Sequence, residues 1–321
     1  MWDRSGAPDE LTSRLEDLLA PAALRSTELS DVAPEPMARI GRRPLIALAA
    51  LLVMGVSLAV WFGTRTPEGW RVNTVAGVPR ANGWKLKTGS VLRVGAWLET
   101  DSASSAQVRV ASIGTLDVGS GSRLRIRETD DARHAVELDH GHIKATITAP
   151  PKLFFVHTPA ALATDMGCQY ELTVPRDGPG LLRVTVGWVQ LDPAAGSAPA
   201  PAGVIAARVP RGVNCWIDPV AGPGTPFRAE SSLGALVPGY DARGWADLSG
   251  VELAGFLDKV GGGDEVTLWH VLQRVPAAQR GVVIDSLSAV LPTKVPPDRD
   301  ALLRLDRDTL ERVWDVVCAG G

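Results

Sequence analysis

Val136–Ile147 reads VELDHGHIKATI, with apolar residues at every second position, a glycine in the middle, and the alternation then resumed. Period two is the mark of a half-buried β-strand, because successive side chains point to opposite faces. LLRVTVGWVQL (Leu181–Leu191) repeats the form, and LDVGSGSRLRI (Leu116–Ile126) is a looser copy. The glycine supplies a φ that a turn requires, or lets two backbone layers approach closely. Strand-turn-strand units that bury one face against the next build a core from short pieces. The reading is therefore a mainly β region, a short-stranded two-layer sandwich or a β-solenoid.

Working outward, the same period recurs around Val91 and Arg93, Val108 and Val110, Phe154–Val156 and Tyr170–Val174. Many short strands at close spacing argue against a parallel α/β sheet. The β region is placed at residues 70–217. It is interrupted by the Pro/Ala/Gly tract DPAAGSAPAPAG (192–203) and closed by VAGPGTPF (220–227), each read as a surface loop or a linker. From 231 to 321 the period becomes helical. One helix is expected over Leu248–Phe256, a second from Asp264-Glu265, a third over Val282–Leu291, and a fourth over Leu302–Trp314.

On the N-terminal side, PLIALAALLVMGVSLAVWFGT (44–64) carries no charge. About 20 apolar residues suffice for a helix to cross the hydrocarbon of a bilayer. Residues 1–43 precede the stretch and no small-x-small site follows it, so a membrane anchor fits better than a cleaved signal. Arg39, Arg42 and Arg43 crowd one border, and the positive-inside rule puts residues 1–43 in the cytoplasm and the bulk outside. The expected location is therefore a membrane crossed once, with the bilayer itself a partner through the anchor.

Residues 1–43 are too few for a core. Leu11, Leu15, Leu18 and Leu19 fall on one stripe of a helix that Asp9 can cap. A lone amphipathic helix needs a partner, so these four leucines are the candidate partner-binding face. Net charge is −3, against direct nucleic-acid binding. No cofactor loop is present, and no catalytic or metal set emerges. His140 and His142 lack a third ligand, and Cys168, His157 and Asp165 lack an oxyanion element. Cys168 and Cys215 are candidate structural thiols, and spacing does not say whether they pair. Trp84, Trp97, Trp188 and Trp216 are candidates for a stacking platform or, more simply, for core filling.

The β region resembles the FecR domain, the exported sensor part of single-pass bacterial regulators. The matching runs are Gly89–Gly95 with Leu98-Glu99-Thr100, Ala106–Val110, Ile113–Gly119 and Ser122–Arg125, then Val136–Ile143, Phe155–Ala160, Asp165–Leu172 and Val184–Val189. Cys168 stands where the family has a threonine. The N-terminal part lacks the tryptophan-bearing motif of the better-known sigma regulators. The resemblance implies a membrane-anchored signalling regulator, not an enzyme. Its exported β domain would sense or dock an envelope protein, and its cytoplasmic helix would contact a sigma factor. A non-signalling envelope scaffold is the alternative.

Overall fold

Alternating burial converts the sequence pattern into strands in the computed structural model, which describes residues 69–195, 206–291 and 298–319. These belong to one compact unit. The apolar stretch 44–64 and the leucine stripe lie outside the described residues. Among the described residues no helix is long and apolar enough to cross a membrane.

The strands are β1 (Gly69–Ala76), β2 (Arg80–Ala81), β3 (Trp84–Lys85), β4 (Val91–Arg93), β5 (Trp97–Glu99) and β6 (Ser105–Val110). They continue with β7 (Gly114–Val118), β8 (Arg123–Thr129), β9 (His134–Ile147), β10 (Phe154–His157), β11 (Ala161–Asp165) and β12 (Gln169–Val174). β13 (Gly180–Val186), β14 (Trp188–Pro193), β15 (Ala207–Pro210), β16 (Val213–Asp218), β17 (Gly222–Pro223) and β18 (Phe227–Arg228) complete the set. β17 and β18 occupy the tract that composition reads as a loop or linker. Both pair with β16.

One sheet has the order β1-β6-β7-β9-β12-β13-β16. The other runs β3-β2-β5-β8-β9-β10-β11-β14-β15. Only the β9–β10 pairing is parallel among these. β9 belongs to both sheets: His134–His140 pairs with β8, and Gly141–Thr146 with β12. The glycine of each repeated stretch marks a crossing between layers. Gly119 and Gly121 lie between β7 and β8, Gly141 within β9, and Gly187 between β13 and β14. This is the sandwich alternative, with one apolar cluster drawn from both sheets.

In β8 and β9, Leu124, Ile126, Val136 and Leu138 are buried. Each such side chain contributes about 1.5–3 kcal/mol through removal from water. The intervening residues form an outward ladder, with Arg123 on Glu99 at 3.1 Å and Arg125 on Glu137 at 2.8 Å. Both guanidiniums lie over the Trp97 ring, at 4.1 and 4.7 Å.

The helices are α1 (Val237–Arg243), α2 (Gly250–Leu257), α3 (Glu265–Arg274), α4 (Arg280–Val290), α5 (Arg299–Leu303) and α6 (Arg307–Ala319). A Ser249/Glu252 capping box starts α2. The fourth expected helix is divided into α5 and α6. Leu305 turns to a φ of +55°, and the Asp306 carboxylate accepts the Thr309 N–H at 2.9 Å, which starts a new helix. α1, which lies before the first of the four expected helices, opens with Val237-Pro238-Gly239. Proline is tolerated in a first turn, where no intrahelical donor is needed.

The helices cover the free edge of β15. There the Arg208 N–H donates to His270 Nε2 at 3.0 Å, and its guanidinium forks onto Glu311 at 2.6 and 2.7 Å. Trp269 and Trp314 hold the same guanidinium at 5.3 and 5.4 Å. In sequence Glu311 reads as part of a solvated helix face, but its partner lies 103 positions away. Because Nε2 accepts, Nδ1 carries the ring proton and donates to the Val266 carbonyl at 2.8 Å. Burial, the first cause, and nearby Arg274 push His270 down to about 3.

Gly141 has a φ of +112°, and a Cβ there would collide with Ser122. Gly141→Ala should cost about 3 kcal/mol or more, lowering Tm by roughly 6 °C or more in thermal unfolding. Unfolded His270 takes a proton near 6.5, whereas the folded ring resists until about 3. Unfolding therefore takes up a proton across that interval, and stability falls as pH falls. Between pH 6.5 and 5 the loss should be about 2 kcal/mol. His270→Gln, which can still accept from Arg208, should show a shallower acid slope in denaturant titrations. A slope equal to wild type would reject the assignment.

Candidate docking cleft

β16 alternates inward Cys215 with outward Trp216, so the indole faces the helices that follow. α1 and the turn Trp245–Asp247 stand opposite, and a cleft of about 550 Å³ lies between. Its walls include Trp216 and Pro223 from the sandwich, and Pro238 and Trp245 from the helical side. Trp245 is fixed by stacking on Tyr240 at 5.4 Å and by its edge contact with Phe256 at 5.0 Å.

A buried polar knot forms the floor. Asp241 accepts from the Thr225 N–H at 2.7 Å, the Thr225 hydroxyl at 2.6 Å and the Trp245 indole N–H at 2.6 Å. Arg274, its side chain only 8% exposed, pairs with the same carboxylate at 3.2 Å. It also donates to the Thr225 hydroxyl at 2.7 Å and the Gly224 carbonyl at 3.0 Å. The knot joins β17–β18, α1 and α3, and it gives the cleft a rigid base. Sequence reading missed Asp241, Thr225 and Arg274, which share no motif and stand up to 49 positions apart. The one available signal was Trp216.

The other sequence candidates are dispersed. Trp84 is 82% exposed on a hairpin, Trp97 lies under two arginines, and Trp188 starts β14. They form no common platform with Trp216. His140 is buried with Nδ1 at 3.0 Å from Asp139, whereas His142 faces Thr173 at 3.1 Å. The crossing at Gly141 gives the two rings separate partners. No group of three metal-ligating side chains occurs among the described residues.

Cys168 and Cys215 are both free and buried. The Cys168 thiol donates to Asp165 at 2.9 Å, and the other Asp165 oxygen accepts the Gly167 and Cys168 N–H groups at 2.6 and 3.2 Å. Burial, followed by the Asp165 charge, pushes the Cys168 thiol far up. Burial likewise pushes Cys215 up to about 12. A thiol held protonated is a poor nucleophile. His157 sits instead in the field of Arg127, Arg133, Glu137 and Glu128. Leu11, Leu15, Leu18 and Leu19 lie outside the described residues.

Residues 96–190, from the start of β5 into β14, match the family model described as FecR protein. This region is a FecR domain. The match covers the paired strands on both sides of β9, including all three glycine crossings. Two crystal structures of a candidate anti-sigma factor from Parabacteroides distasonis ATCC 8503 are similar to the chain, at 17% identity and a TM-score of 0.33. Each match covers 39% of this chain and 56% of the other, so the chain spans just over half the length of those proteins. No curated protein matches. Apart from Pro179, the cleft is lined by residues C-terminal to this match, on the strand and helices that follow it.

Removing the carboxylate under Arg274 leaves a buried guanidinium without its counter-charge. Asp241→Ala should therefore cost about 3–5 kcal/mol in denaturant unfolding. The double change Asp241→Leu with Arg274→Met should cost less than the single one. A double variant less stable than Asp241→Ala would show that the knot is more than a charge pair.

Proposed function

We propose that the chain is a single-pass signalling regulator of the bacterial inner membrane. The observation that carries this reading is the FecR-family match over residues 96–190. The uncharged stretch 44–64 is the anchor, residues 1–43 face the cytoplasm, and the β sandwich with its helices is exported. In the cytoplasm the stripe Leu11, Leu15, Leu18 and Leu19 docks as an amphipathic helix into a groove on a sigma factor. Outside, the sandwich and its cleft engage an envelope protein. The protonated thiols and the neutral His270 favour a role through binding surfaces over covalent chemistry.

The test uses the full-length protein, solubilised from its native host membranes and captured on resin beside a Leu15→Asp, Leu18→Asp variant. Mass spectrometry should find a sigma factor with the wild type and none with the variant. Equal recovery from both would move the contact off the leucine stripe. Its absence from both would leave the exported scaffold as the better reading.

A further inference from the structure

We infer that the cleft between β16 and α1 binds a basic, extended peptide segment of the envelope partner; this rests on the docking role just proposed and names its chemistry. The charges in the cleft decide the sign of the ligand. Its two guanidiniums are already paired, Arg274 with Asp241 and Arg243 with Glu252. An anion would compete with those carboxylates for the same guanidiniums. Asp218 and Asp247, by contrast, are exposed on the lining and make no ion pair among the described residues. Asp218 accepts the N–H groups of Val220 and Ala221, at 2.8 Å each, and no cationic side chain.

The same lining carries the indoles of Trp216 and Trp245 and the rings of Pro223 and Pro238. A Lys or Arg side chain entering there gains a carboxylate for its charge, an indole face for cation–π contact and apolar surface for its stem. The Trp216 indole N–H is buried without an acceptor among the described residues. The volume of about 550 Å³ is within the usual range for bound ligands and exceeds what one side chain fills. Walls of tryptophan and proline suit an extended, proline-containing backbone, whose order is largely present before binding.

The experiment is fluorescence anisotropy on the full chain in detergent, with two labelled probes: acetyl-Pro-Lys-Pro-Arg-amide and acetyl-Pro-Glu-Pro-Glu-amide. The basic peptide should bind, weaken as salt is raised, and lose affinity about tenfold with Asp218→Asn plus Asp247→Asn. These exposed, isosteric changes leave the fold intact, which the Tm of the variant verifies. The acidic peptide should not bind. Absence of binding by the basic peptide, equal binding of both, or an unchanged affinity in the double variant would overturn the assignment. Sigma-factor retention by the same preparation separates the two readings. If it persists while the peptides fail, the cleft assignment falls alone; if it is lost while the basic peptide binds, the regulator reading falls instead.

Discussion

The bend of β9 at Gly141 is the constraint on which the rest of the sandwich depends. A strand fourteen residues long cannot lie in one small twisted sheet and also present both of its halves to a single core. Passing from one layer to the other solves this, and the passage requires a backbone conformation and a closeness to Ser122 that exclude a side chain. Since the halves of β9 pair with β8 and β10 on one side and with β7 and β12 on the other, one bend fixes the register of both sheets. A shift of one residue in either half would turn Leu138 or Ile143 out to solvent.

The helices solve a different problem. An edge such as β15 exposes unpaired N–H groups, a template for unwanted strand pairing. Arg208 meets it at two levels, its backbone donating to His270 and its side chain gripping Glu311. Arg228 on β18 makes a parallel tie to the Gly263 carbonyl at 2.7 Å and to Glu265 at 3.3 Å. Together with Arg274, three arginines connect strands to helices. Arginine suits the task because its planar fork satisfies several acceptors at fixed geometry while staying charged. The cleft is a consequence of this arrangement. The helices are held at two edges of the sandwich, and the space between α1 and β16 is left unfilled.

Local periodicity made the strands legible, and the repeated glycines even carried the positions where the layers exchange. Apolar spacing likewise revealed α2, α3 and α4. What it could not carry was anything decided by partners distant in sequence. The tract VAGPGTPF became two strands because β16 offers free pairing positions, and the helix expected over Leu302–Trp314 broke because Asp306 prefers to cap. The floor of the cleft was illegible for the same reason. Asp241, Thr225 and Arg274 are ordinary residues until the fold brings them together.

That contrast bears on how the molecule works. The residues with the most reactive chemistry in sequence, the cysteines and histidines, are mostly those the fold has neutralised: Cys168 is tied to Asp165, Cys215 is buried beneath the sheet, and His270 serves as a backbone acceptor. The groups left available are of another kind. Asp218 and Asp247 are exposed on the lining of the cleft without an ion-pair partner among the described residues, and the Trp216 indole N–H is buried there without an acceptor. Charge without a counter-charge and a donor without an acceptor are features that packing alone would tend to remove, since each is tolerated at some cost in stability. In this cleft the two carboxylates stand on rigid supports, and a second molecule that brings a positive charge would supply the counter-charge that the fold does not.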